Sequence, residues 1–228
     1  MARKVFDQEL EQLHADIGAL GARVEGIMGD TIHALESHDI EMARVIFEQD
    51  PEINMAQNKI EQLCINLIAL QQPIASDLRL IAATLKMVTD VERIADQCAD
   101  ISEIMATYPE FTKFPTPPRI LTMFKIAREM FAGAIDAFLR RDVDQARAIQ
   151  ARDDEVDTMF SQTILEMSNL LRDDPNLISQ ATDSMFIAKY IERMADHATN
   201  ISEWAIYTVT GEHKSMTNKL LGRRRPLM

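Results

Sequence analysis

The chain contains two cysteines, no glycine between Asp30 and Ala132, and no uncharged run as long as a membrane span. Cys64 and Cys98 are too far apart to form a C-x-x-C unit, and both fall inside helical periodicity. They read as small buried hydrophobes of a reducing cytoplasm. The opening residues, Met1 to Asp7, turn acidic before an apolar signal core could form. The sequence therefore predicts neither export by signal peptide nor a membrane-spanning segment. Basic residues are scarce too: 24 Lys and Arg stand against 36 Asp and Glu, a formal net charge of -12. Nucleic-acid binding needs a cationic surface that displaces counterions, so that class is excluded. Nor is there a glycine-rich phosphate loop, a G-x-S-x-G element or a Cys/His nucleophile pair.

What abounds is Ala, Leu, Met, Glu and Gln, a helical composition. Apolar periodicity predicts helices from about Asp7 to Leu35, Ile40 to Leu70 and Ala75 to Ala106, then from about Arg119 to Arg140, Val143 to Leu171 and Leu177 to Thr210. Asp39 and Asp142 stand where N-caps are needed, while Gln71-Gln72-Pro73 and Asp173-Asp174-Pro175 separate the second helix of each set from the third. The two sets repeat one another. Ala34, Asp39, Ala43, Arg44, Ile46, Asp50 and Glu52 recur as Ala137, Asp142, Ala146, Arg147, Ile149, Asp153 and Glu155. The expected fold is all-α, two tandem three-helix bundles related by internal duplication. Residues 1–108 form the first bundle, 109–118 a proline-rich linker, 119–211 the second bundle, and 212–228 a basic tail containing Arg223-Arg224-Arg225. Trp204 and Tyr207 are expected to pack, and His33 to be an ordinary semi-buried histidine.

The strongest repeat is acidic. Glu92-Arg93-Ile94-Ala95-Asp96 returns as Glu192-Arg193-Met194-Ala195-Asp196. At about 100° per residue, Glu92, Asp96, Asp100 and Glu103 share one stripe of a helix. Continued backwards, that stripe passes through Leu78, Ile81, Leu85 and Val88, so the acids extend a packing seam. Carboxylates gathered there repel one another and lose hydration; they must protonate, find basic partners or hold a cation. Folding the second helix back on the third sets Asp50 and Asn54 level with Asp96 and Glu92, and Asp153 and Asp157 level with Asp196 and Glu192. Oxygen donors with one nearby imidazole, His197, suit Mg²⁺, Mn²⁺ or ferric iron better than structural zinc. The competing reading is that Arg93, Arg193, Lys86 and Lys189 neutralise these acids and leave a solvated charged face.

Gln72-Pro73-Ile74-Ala75-Ser76-Asp77-Leu78-Arg79-Leu80-Ile81-Ala82-Ala83, with Asp90-Val91-Glu92-Arg93-Ile94-Ala95-Asp96 and the opening Phe6-Asp7-Gln8-Glu9-Leu10, resembles the PhoU family of phosphate-uptake regulators. The resemblance implies two three-helix bundles whose E(D)-x-x-x-D motifs bind multinuclear clusters of iron or zinc. Those motifs fall on Asp50 with Asn54, Glu92 with Asp96, Asp153 with Asp157, and Glu192 with Asp196. Asn54 replaces the acid found at Asp157, and Asp100 faces Asn200 in the alignment of the halves, so the two expected metal sites differ in charge. The metal, among iron, manganese, zinc and magnesium, stays open. The resemblance further implies a cytoplasmic homodimer that restrains phosphate-starvation signalling between the phosphate ABC transporter ATPase and its sensor histidine kinase. Membrane contact is at most peripheral, through Arg223 to Arg225. Two rivals remain: a di-metal carboxylate oxidase, which lacks here the two Glu-x-x-His elements it needs, and a metal-free helical scaffold.

Overall fold

The computed structural model describes residues 2–48, 50–107 and 115–212, with the side chains of residues 2, 3 and 50 outside that description. Most of the expected linker and tail, including Arg223 to Arg225, thus lies outside the described residues. Among the described residues eight α-helices follow in order: α1 (Ala2–Ser37), α2 (Ile40–Glu48), α3 (Asp50–Gln71), α4 (Ala75–Thr107), α5 (Pro118–Arg140), α6 (Val143–Gln150), α7 (Asp153–Asp173) and α8 (Ile178–Thr210), with a 3-10 turn at Pro175–Leu177 before the last. Among the described residues there is no strand, and no helix is long and apolar enough to cross a membrane.

In the first half α2 ends at Glu48 and α3 begins at Asp50, and residue 49 between them lies outside the described residues. In the second half the expected single helix is two. Ala151 and Arg152 form a turn between them, with Arg152 N–H donating to the Ile149 carbonyl at 3.0 Å. Helix α7 then opens on Asp153, Asp154 and Glu155, acids that favour a helix N-terminus.

The two turns that start α2 and α6 match closely. His38 and Arg141 adopt left-handed backbone conformations, φ 54 and 55. Asp39 and Asp142 follow; their N–H groups donate to Ala34 and Ala137, and their carboxylates accept from Met42 in one half and from Asp144 and Gln145 in the other. Both expected N-caps are therefore present.

Equivalent helices of the two halves pair with one another. Helix α1 packs on α5 and α4 on α8, each antiparallel, while α2 and α6 lie on α4 and α8. The α1–α5 approach is close: a Cβ on Gly21 would stand 2.8 Å from Ile135 Cγ2, which explains a glycine there. Glu25 and Arg128 pair across this contact at 3.1 Å. One hydrophobic cluster runs through both halves, from Leu13 and Val24 through Met87 and Ile94 to Phe124, Phe131 and Met194. Cys64 and Cys98 belong to it, and burial pushes both thiols up to about 12, where they are unreactive. Trp204 and Tyr207 pack edge to face at 5.7 Å, as expected, whereas His33 is exposed rather than semi-buried.

Candidate functional site

In the second half, the break between α6 and α7 sets Asp153 in the first turn of α7, with Asp157 one turn on and Asp196 facing them from α8. Burial, then the charges of Asp196 and Asp157, push the Asp153 carboxyl up to about 6, with nearby Thr199 acting in the opposite direction. These three carboxylates are close enough to repel, as the register of the hairpin predicted. Glu192, the fourth member, is met by Lys189, whose ammonium also sits 5.2 Å from the centre of the Phe160 ring.

The first half answers its acids differently. Arg93 reaches Asp96 at 2.8 Å and Glu92 at 3.4 Å, so one guanidinium serves both. Asn54 is half-buried on α3, and the side chain of Asp50 lies outside the described residues. A cavity of about 660 Å³ opens beside them, edged by Glu48, Arg93, Asp96, Gln97, Asp100 and, from the other half, Arg193.

Asp100 and Asn200 belong to the α4–α8 seam. The Asn200 amide donates to Asp90 Oδ1 at 3.1 Å, and the His197 ring donates to the same oxygen at 2.8 Å. Of the equivalent residues, Tyr190 and Asp100 approach each other on the other side of the crossing: the Tyr190 phenol is raised by burial first and by the Asp100 charge second. Sequence reasoning passed over Asp90 and Thr199. Asp90 had a readable signal, since it starts the motif whose second copy begins with Tyr190, but its partners sit more than a hundred residues away.

Among the described residues, no group of three or more His, Cys, Asp or Glu side chains is arranged so that it could hold a metal ion as it stands. The chemistry of the donor set fits a hard cation: oxygen ligands on facing helices, two of them spaced i, i+4, with carboxylates in the second half near enough for Asp196 and Asp157 to raise Asp153.

The PhoU domain model matches residues 17–105 and 120–205, one copy for each half. The chain belongs to the PhoU family. It is 36% identical over 219 residues to the phosphate-specific transport system accessory protein PhoU homolog of Clostridium acetobutylicum, covering 96% of this chain and 100% of that one. To PhoU of Escherichia coli K12, with the same accessory-protein description, it is 31% identical, covering 91% and 86%. Among solved structures, that of PhoU from Pseudomonas aeruginosa superposes with a TM-score of 0.86 at 31% identity, covering 91% of this chain and 100% of that chain. The regulatory PhoU of Streptococcus pneumoniae superposes with a TM-score of 0.85 at 31% identity, covering 91% and 98%. The tandem all-α fold is that of the PhoU family, and PhoU-family proteins are accessory and regulatory proteins of phosphate transport, not enzymes.

Proposed function

We propose that this chain is a metal-binding cytoplasmic adaptor that restrains phosphate uptake and phosphate-starvation signalling, working between the phosphate ABC transporter ATPase and its sensor histidine kinase. The observation that carries the metal part is the convergence of Asp153, Asp157 and Asp196 between α7 and α8. Three carboxylates held together need a cation or protons, and oxygen donors of this kind favour iron, manganese or magnesium over structural zinc. When bound, the cation would neutralise the face and tie α7 to α8. In the first half Asn54, Glu92, Asp96 and Asp100, with Asp50, would form the second site, in competition with Arg93. Glu192 and Asn200 complete the set in the second half.

The adaptor part is supported by the accessory role of the relatives and by two related but unequal faces on one chain, which suit two unlike partners. Elemental analysis of the purified protein tests the metal reading: the wild type should carry metal and a Glu92→Ala, Asp96→Ala, Glu192→Ala, Asp196→Ala variant should not. Equal metal in both would end the site assignment. Deleting the gene should raise alkaline phosphatase expression in phosphate-rich medium; unchanged expression would count against restraint of signalling.

A further inference from the structure

Away from the acid faces, a hollow of about 320 Å³ lies where α1, α4 and α5 meet. Its walls are Leu10, Leu13 and Ile17 of α1, Leu80 of α4, and Phe138 and Leu139 of α5. Glu11 and His14 edge it on the α1 side and Arg141 on the α5 side. The hollow is built rather than accidental: the His14 ring donates to the Leu139 carbonyl at 3.0 Å, which fixes the spacing of α1 and α5 beneath it. Helix α8 leaves the bundle at this same end. Gly211, φ 75, closes it, and the position of its missing Cβ is 3.5 Å from Arg79 Nη1, Arg79 being the residue before Leu80.

We propose that this hollow receives the chain's own C-terminal segment, with Leu220 and Leu221 against its apolar walls and Arg223 to Arg225 along Asp7 and Glu11 of α1. Reach is ample, because the residues between Gly211 and Leu220 can span up to about 30 Å in extended form. Charge selects the direction. Residues 213–228 carry Lys214, Lys219, Arg223, Arg224 and Arg225 and no acid, on a chain of net charge -12. Asp7 and Glu11 lie one turn apart on the exposed side of α1, whereas Arg141 on the opposite rim repels the basic run. The Leu220-Leu221 pair immediately precedes that run, so seating one sets the other.

A benzophenone photocrosslinker placed at position 221 of the full-length chain, in a mixture of isotope-labelled and unlabelled copies, tests this by mass spectrometry. Links within one copy, to peptides holding Leu10 to Ile17 and Phe138 to Arg141, are expected, and they should fall when Arg223, Arg224 and Arg225 are changed to Glu. Links that run mainly between copies, or scatter over the surface, overturn the proposal. Hydrogen exchange gives an independent reading in the full-length Leu220→Ser, Leu221→Ser variant. Exchange should speed up roughly tenfold around residues 8–18 and 136–141 and stay unchanged elsewhere. No local change there would also overturn it.

Discussion

The same five-residue acidic motif sits in two different electrostatic settings. In the first half Arg93 turns back on its own helix and reaches Glu92 and Asp96 together. In the second half Lys189 takes Glu192, and the charges of Asp196 and Asp157 act on Asp153. The lesson is that duplicated motifs need not have duplicated surroundings: one guanidinium bridges both acids of the first copy, whereas an ammonium meets the glutamate of the second.

That contrast can be broken experimentally. The largest expected effect is on metal: Asp153→Asn with Asp196→Asn should weaken cation affinity by about a hundredfold, near 3 kcal/mol, since it removes direct oxygen donors. Glu92→Gln with Asp96→Asn should cost about tenfold on the same scale, and calorimetric titration of chelator-stripped protein distinguishes the two. Next comes the seam. Asp90→Ala leaves the His197 and Asn200 donors without their acceptor and should destabilise the fold by about 1–3 kcal/mol in urea titrations, whereas Tyr190→Phe should cost well under 1 kcal/mol.

The third effect depends on pH. Asp153 is raised in the folded chain to about 6 from an ordinary 3.8, so its contribution to stability is full below the lower value and is lost as pH rises through the upper one. In metal-free protein, Asp153→Asn should therefore stabilise at pH 8, by about 1 kcal/mol once solvent screening of a half-exposed group is allowed for. The gain should vanish at pH 4. Thermal melts at both pH values check it, and Asp96→Asn should show the opposite sign at pH 8, because it removes the Arg93 ion pair. The smallest effect compares the matched turns: His38→Gly and Arg141→Gly should each stabilise by about 0.5–1 kcal/mol, relieving a side chain in left-handed backbone, with equal shifts in melting temperature.

Much of this architecture is legible in the chain. Helical periodicity, the Asp39 and Asp142 caps and the breaks at Pro73 and Pro175 are local signals, and local physics decides them. The division between α6 and α7 was less readable: Ala151 and Arg152 carry no helix-breaking residue, and only the acids Asp153, Asp154 and Glu155 hint at a new start. The hairpin register brought Asp153, Asp157 and Asp196 together correctly because it rests on simple helix geometry. Asp90 escaped because its role depends on how α4 crosses α8, a contact between residues distant in sequence. The direction in which Arg93 and Lys189 turn is likewise a matter of rotamers, which the sequence pattern does not order.

The pairing of like helices carries a historical consequence. Residue 90 meets 200 while 190 approaches 100, and α1 meets α5 in the same reciprocal manner. This is the contact plan of a two-fold homodimer recast within a single polypeptide. In a true homodimer every substitution at such an interface appears twice, so Asp and Tyr could never face each other's mates at equivalent positions. With both copies in one chain that constraint is absent, so Asp90 and Tyr190, or Gln97 and His197, can differ, and the two ends of the crossing can be told apart.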